Sequence, residues 1–332
     1  MIKEIKFTNF KALRDATLPL DRFTLIIGAN GTGKTTAMEA LETPTKYHQL
    51  LWNDLVSAEA VDEKEDVILR ITTSRQEFGY KWKADQHGNE DLPETGYGSS
   101  DKELRKIDKK ELESFKLFSF DPKKLPVPSN KISPRAELDS DGSNLTGVLD
   151  VLNGEYEERW KDLNREISRW FPEFRQIGFE FNENEKSIVF RTRVGNHRIR
   201  AKDISDGTLL SLAYLTLAYL PKPPQMVCFE EPERGIHPRL FRHIQDAMYR
   251  LAYPENFGDE RKPIQVIATS HSPYLLDLYK DHPEEIVIAS KDQNGVHFER
   301  LIDKPHIDEI LQDEPLGEVW FTGVLGGVPA NV

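Results

Sequence analysis

The chain has 332 residues, 38% of them hydrophobic and 20 of them glycine, which supports a packed core and excludes global disorder. With 44 Lys and Arg against 56 Asp and Glu the net charge is −12, so no global positive field draws nucleic acid or an anionic membrane, and any such contact falls to a local patch or a partner. The single cysteine, Cys228, excludes an intrachain disulfide framework and fits a reducing cytoplasm, while the first seven residues carry charges and lack the uninterrupted apolar stretch of a signal peptide, so secretion is not expected.

In chain order, loose alternation runs from Ile2 to Leu20, and Phe23–Ile27 is a short apolar run ending at Gly28, the pattern of a buried parallel strand. Thr35–Thr43 reads as a helix stopped by Pro44, which completes a strand, glycine loop and helix within residues 1–46. Residues 47–203 are more polar and read as a mixed helical and β-hairpin insert. It holds two hairpin candidates, Val67–Ile71 with Phe78–Trp82 and Phe179–Phe181 with Ile188–Phe190. The charged run Asp101–Glu113 reads as a solvated helix face. Apolar residues from Leu145 to Trp170 recur at three- and four-residue steps and read as core-facing helix, with a break at Asn153-Gly154.

Within 204–303 the apolar runs return as Leu209–Leu220, Gln225–Phe229, Ile264–Ala268 and Ile286–Ile288, separated by helix-length segments such as Pro238–Ala252. Short apolar runs spaced in this way predict a parallel α/β sheet. The longest uncharged run, Leu209–Leu220, falls short of the roughly 20 residues of a membrane span, so no membrane partner is expected. The tail, 304–332, contains an apolar stretch, Leu316–Val328, with Glu318 as its one charge. Such a stretch needs a surface to bury against, either its own subunit or an effector protein gripped by Trp320 and Phe321.

Gly28-Ala29-Asn30-Gly31-Thr32-Gly33-Lys34-Thr35 matches G-x-x-x-x-G-K-[ST] between an expected strand and an expected helix. Glycines let backbone N–H groups converge on phosphate oxygens, and the helix N-terminus adds partial positive charge. Lys34 reaches the β- and γ-phosphates, and the Thr35 hydroxyl is a Mg²⁺ ligand. The nucleotide contacts therefore fall on Asn30, Gly31, Thr32, Gly33, Lys34, Thr35 and Thr36. Met226–Phe229 runs into Glu230-Glu231-Pro232-Glu233, and a strand ending in adjacent carboxylates delivers them to the carboxyl edge of a parallel sheet, where a phosphate loop also lies. One carboxylate can hold Mg²⁺ and the other can orient the attacking water. Ser205 reads as the N-cap of the helix that begins before Leu209, and Gly207 leaves room for a phosphate at its first turn. His271 follows another apolar strand, in place for a phosphate sensor.

These stations together resemble the ATP-binding cassette family, in the branch that contains SMC proteins, RecF and OLD-type ATPases. Gly28–Thr35 corresponds to the Walker A loop, Ser205-Asp206-Gly207-Thr208 to the signature, Phe229-Glu230-Glu231-Pro232 to the Walker B end, and His271 to the switch histidine. Thr8–Leu13 is similar to that branch's opening strand, and Glu231–Pro238 to its D-loop. The sequence departs from the family in having Asp206 where many members have glycine, Thr208 where they have Gln or Glu, and Glu230 where they have Asp. None of Gln49, Gln76 and Gln86 has the context of the family's Q-loop.

The resemblance implies an α/β P-loop NTPase: one ABC-type ATPase head over residues 1–332, with a mixed α+β insert between Walker A and signature. It implies ATP and Mg²⁺ as cofactors, Glu230 and Thr35 on the metal, Glu231, His271 and Lys34 in catalysis, and Ser205 and Gly207 on the nucleotide of a second copy in an ATP-closed homodimer. Asn130-Lys131-Ile132-Ser133 lacks the aspartate that guanine recognition needs, which favours ATP over GTP. The Leu145–Trp170 stripe would be only about 39 Å long as a continuous helix, so the chain is a head without a long coiled-coil arm. It contains no recognisable nuclease; Asp139-Ser140-Asp141 runs into Gly142 and reads as a turn. Three function classes remain: an ATPase switch or motor acting on DNA with a separate effector such as a nuclease, in repair or phage defence; a non-hydrolysing ATP-dependent scaffold; and the ATPase subunit of a transporter.

Overall fold

The opening alternation becomes a β-hairpin, β1 (Ile2–Phe10) and β2 (Leu13–Pro19), with Ile2, Ile5, Phe7 and Phe10 of β1 buried in the core. Asn9 and Lys11 both adopt positive φ to make its turn, so no glycine marks the hairpin in the sequence. The computed structural model describes residues 1–46, 55–56, 66–82, 94–98, 114–129, 136–182, 185–293, 295–307, 309–310 and 315–327. Asp101–Glu113, Asn130–Ser133, Gln49, Gln86 and Val328 lie outside them. The chain divides into two units: Met1–Leu117 with Gln225–Glu231 and Gln265–Val332, and Phe118–Pro224 with Pro232–Ile264.

The first unit holds two sheets. After β3 (Phe23–Ile27) come β4 (Val67–Thr73), β5 (Glu77–Trp82) and β6 (Glu94–Gly98), and an antiparallel sheet runs β2-β1-β4-β5-β6. The β4–β5 hairpin has the expected partners, Val67 opposite Trp82 and Ile71 opposite Phe78. Gln76 is its turn residue, with its N–H 3.1 Å from Thr73 Oγ1. The second sheet runs β14-β13-β3-β12-β11-β7, from β7 (Phe115–Phe118), β11 (Met226–Glu230), β12 (Gln265–Ser270), β13 (Ile286–Asp292) and β14 (Gly295–Arg300). Its strands β11, β12, β3 and β13 are mutually parallel, as the apolar runs predict. β3 and β12 are buried at every position, the mark of a central parallel strand.

The two sheets share one core, with the Phe7 and Phe298 rings 6.5 Å apart. Buried Gln265 joins them: its side-chain carbonyl accepts the Ile2 N–H at 2.9 Å, and its amide donates to Ile2 O at 2.7 Å and Asp21 O at 2.8 Å. The three hydrogen bonds offset the cost of taking this amide out of water. Helix α1 (Lys34–Lys46) runs past Pro44. Near a C-terminal end, proline removes one i→i−4 bond and its fixed φ remains helical.

In the second unit the apolar stripe forms α2 (Leu145–Glu155) and α3 (Glu157–Trp170). The break falls at Tyr156, at φ −130° and ψ 61°, not at Asn153-Gly154, which remains helical. β8 (Phe174–Asn182) and β9 (Glu185–Thr192) make the second expected hairpin, with Phe179 opposite Ile188, and β10 (Arg198–Arg200) extends it. α4 (Asp206–Tyr219) is buried from Thr208 to Tyr219, which explains its lack of an apolar stripe. The Arg261 guanidinium closes its far end, donating to Leu220 O at 2.6 Å and Ala218 O at 2.8 Å, while Asp259 neutralises it at 2.7 Å. Burial pulls the Arg261 pKa down to about 10. α5 (Phe241–Ala252) follows; its His243 stacks on Trp170 at 5.0 Å. Asp139–Gly142 is a turn, closed by Gly142 N–H on Asp139 O at 2.9 Å. Hydrogen bonds from Lys124 and the Ser143 N–H hold the Asp141 carboxyl down at about 2.

Back in the first unit, α6 (Pro273–Leu276) and the tail helix α7 (Leu316–Phe321) complete the described helices. The tail corrects the reading of Trp320 and Phe321 as paired anchors for a partner. Trp320 is 4% exposed, and Leu316, Val319 and Leu325 are buried as well, whereas Phe321 is 75% exposed. Adjacent positions on a helix point about 100° apart, and here Trp320 lies on the buried side while Phe321 has turned out of it. Among the described residues no helix is long and apolar enough to cross a membrane.

Candidate nucleotide site

The glycine loop leaves β3 at the carboxyl edge of the parallel sheet and enters α1 at Lys34. Gly28 is wedged at that edge: a Cβ there would lie 2.4 Å from Ala289 O, so only glycine fits. Gly31 and Gly33 both stand at φ +81°, and Gly31 has open space where a side chain would be. Asn30, Gly31 and Thr35 are exposed, Thr36 is half-buried, and Thr32 is buried with its hydroxyl donating to Ala29 O at 2.8 Å. Lys34, 7% exposed, folds back over the loop, its Nζ 2.6 Å from Gly28 O and 2.8 Å from Ala29 O. The cation is thereby held on the loop carbonyls, at the start of a helix whose first-turn amides lack intrahelical partners.

β11 brings Glu230 to the same edge, where the Thr35 hydroxyl donates to Glu230 Oε1 at 2.6 Å. The next residue diverges. Glu231 N–H donates to Thr269 O at 3.0 Å, continuing the β11–β12 pairing by one position, but its φ is +48°, the left-handed region that a non-glycine residue enters at a cost of about 1–3 kcal/mol. Its carboxylate is 3.0 Å from His271 Nδ1 at the end of β12. Adjacent carboxylates at one strand end are thus sent to different partners, Glu230 to Thr35 and Glu231 to His271. Ser270, just before the histidine, is buried; its carbonyl accepts the Gly28 N–H at 3.4 Å, and its hydroxyl accepts the Ser272 N–H at 2.9 Å.

The arrangement fits a phosphate chain and a hard divalent cation. The loop offers an open glycine cradle and a helix N-terminus, and Thr35 and Glu230 put two oxygen donors of the kind Mg²⁺ prefers side by side. Cys228, two strand positions before Glu230 but fully buried, has its thiol pushed well up by burial and then by the Glu230 and Glu42 carboxylates, which leaves it an inert core residue.

In the second unit, Ser205 caps α4 as the sequence suggests: its Oγ is 3.4 Å from the Thr208 N–H and 2.8 Å from the Thr208 hydroxyl. Asp206 lies in the first turn, where a carboxylate complements the helix dipole. A Cβ on Gly207 would stand 3.0 Å from Gly235 O, so close backbone packing within this unit also requires glycine there. His237 Nδ1 accepts the Arg239 N–H at 3.2 Å and so acts as a cap.

Sequence reasoning missed one contact of the loop: Ala29 N–H donates to Gly327 O at 2.6 Å. The signal was the glycine-rich end of the tail, where Gly326 and Gly327 both take φ +74°.

A family model described as "AAA domain, putative AbiEii toxin, Type IV TA system" matches residues 23–277, which include the loop, Ser205–Thr208, both acidic residues and His271. The chain is 45% identical to the OLD nuclease of Thermus scotoductus over 42 residues, which span 13% of this chain and 8% of that protein's length. Among solved structures, the SMC head domain from Thermotoga maritima aligns over 90% of this chain and 98% of its own, with 14% identity and a TM-score of 0.49. The recombination mediator protein RecF of the RecFOR pathway, solved as RecF-ATPrS, aligns over the same shares with 12% identity and a TM-score of 0.43.

Proposed function

The chain belongs to the family described as "AAA domain, putative AbiEii toxin, Type IV TA system", a P-loop ATPase family, and on that premise we propose that it hydrolyses ATP as the switch of a DNA-directed complex. The observation that carries this reading is the divergence of two neighbouring carboxylates, Glu230 toward Thr35 and Glu231 toward His271. A site that only binds nucleotide has no need of the second carboxylate or of its strained backbone.

The roles follow from position. Amides of Asn30, Gly31, Thr32, Gly33, Thr35 and Thr36 hold the phosphates, and the Lys34 cation leaves the loop carbonyls for the β- and γ-phosphates. Thr35 and Glu230 hold Mg²⁺, which when bound neutralises the charge that builds on the transferring group. Glu231 orients the attacking water and takes its proton. His271, within reach of Glu231, stabilises charge on the γ-phosphate. Ser205 and Gly207 serve the nucleotide of a second copy, so ATP closes a head-to-tail homodimer in the cytoplasm.

A DNA-directed role gains support from local charge. In a chain of net charge −12, β9, β10 and the residues beside them carry Lys186, Arg191, Arg193, Arg198, Arg200 and Lys202. Arg200 is paired with Glu180, whereas Arg191, Arg198 and Lys202 have no carboxylate partner among the described residues. A separate effector, such as a nuclease, would supply the chemistry on DNA. Two readings compete: a scaffold that binds ATP without turnover, and a transporter subunit. Steady-state phosphate release decides against the scaffold if bound ATP turns over, and for it if ATP stays intact; a membrane protein co-purifying with the chain would favour the transporter.

A further inference from the structure

The tail makes one contact with the phosphate loop and another just after His271. At its end, Gly327 O accepts the Ala29 N–H of the phosphate loop at 2.6 Å. At its start, Gly317 N–H donates to Asp277 Oδ1 at 2.7 Å, and Gly317 sits so close to α6 that a Cβ would lie 2.4 Å from Pro273 O. α6 begins two residues after His271 and is capped by Ser272, whose Oγ accepts the Leu275 N–H at 3.3 Å. One short segment therefore seats itself on the helix that follows the histidine and then on the loop that cradles phosphate. Leu316, just before the first contact, and Val319, Trp320 and Leu325, between the two, are all buried. Gly327 is also locked in place: at φ +74°, a Cβ on it would stand 2.9 Å from Ile288 Cγ2 and 3.0 Å from Ala289 O, the same carbonyl that excludes a Cβ from Gly28.

We infer that residues 316–327 form a positioning clasp that ties the histidine loop to the phosphate loop, so that docking of the tail and binding of nucleotide favour one another. This rests on the nucleotide reading of the loop above. The energetic logic is linkage: if the docked tail holds the loop in its binding conformation, nucleotide must in turn tighten the tail by the same factor. The Gly327 carbonyl makes its contribution by accepting the Ala29 N–H, the amide just ahead of the phosphate-facing ones, and so sets the curvature of the loop without touching ligand. Phe321 and Val324, 75% and 66% exposed, lie on the clasp's outer side and are not needed for its docking.

The test is hydrogen–deuterium exchange of the full chain with and without Mg²⁺ and AMP-PNP, a non-hydrolysed ATP analogue, together with AMP-PNP affinities of variants. The expected result is that AMP-PNP slows exchange across 316–327 by about fivefold or more, the lower end of ordinary site-to-site coupling. Gly327→Ala and Asp277→Ala should each weaken AMP-PNP binding by a similar factor, while Asp277→Asn, which keeps an acceptor oxygen, restores it and Phe321→Ala leaves it unchanged. If Gly327→Ala does not fold, the Asp277→Ala and Asp277→Asn pair decides. Wild-type binding of AMP-PNP with no protection of the tail, and unchanged affinity in the Asp277→Ala variant, would overturn the clasp and leave the nucleotide reading standing. A wild-type chain that binds no AMP-PNP at all would overturn both.

Discussion

Glu231 combines a positive φ with a carboxylate 3.0 Å from a histidine, a pairing that separates its role from that of Glu230 one residue away. Both residues could be picked out from the sequence as acids at a strand end, but their division of labour could not, because it depends on the backbone reversal at Glu231. Lys34 and His271 are separable in the same way. Lys34 meets phosphate in the ground state, so Lys34→Ala should abolish ATP binding, as measured by calorimetry. His271 matters as charge develops, so His271→Ala should keep ATP affinity within a few fold and slow turnover by roughly 10²-fold. Lost affinity with unchanged turnover of bound ATP would reverse that assignment.

Elements built on a single strong pattern were legible: the buried strands β3, β11, β12 and β13, the two hairpins, and the uniformly apolar α4. The β1–β2 turn was not, since Asn9 and Lys11 adopt a conformation usually left to glycine, and neither was the break at Tyr156, where the chain turns despite an Asn-Gly pair just upstream. The contact between α3 and α5 yields a prediction. His243 stacks flat on Trp170, its Nδ1 is buried with no hydrogen-bond partner among the described residues, and burial lowers its pKa below 6.5, with Arg169 adding to the effect and Asp246 and Glu166 opposing it. A histidine depressed in the fold stabilises it fully above its unfolded pKa of 6.5, and that stability is lost as pH falls from 6.5 through the lowered folded value. His243→Phe keeps the stack without the titration, so its melting temperature should change less than that of wild type between pH 7 and 5.5. For the tail, Trp320→Ala empties a core position and should destabilise by about 3–5 kcal/mol, whereas Phe321→Ala should leave the melting temperature nearly unchanged.

For the whole molecule, order and spacing of motifs identified the family, but the division of the chain and the return of its end to the phosphate loop were invisible, because such long-range contacts follow no periodicity. If the basic residues near β10 serve DNA, Arg198→Glu with Lys202→Glu should weaken binding of a duplex uniformly across sequences and reduce its salt slope by about 2, as expected for two lost phosphate contacts. If ATP closes a homodimer, light scattering of the Glu231→Gln variant with Mg²⁺ and ATP should show twice the 38.2 kDa chain mass, and a monomer under those conditions would count against closure. The most direct test of the central claim is single-turnover release of phosphate from bound ATP, compared between wild type and Glu231→Gln. The account predicts that wild type releases phosphate and that the variant, with ATP still bound, releases it about 10²–10⁴-fold more slowly, the usual worth of a general base. Equal rates would remove Glu231 from the chemistry, and ATP that stays intact on wild type would make the chain a scaffold.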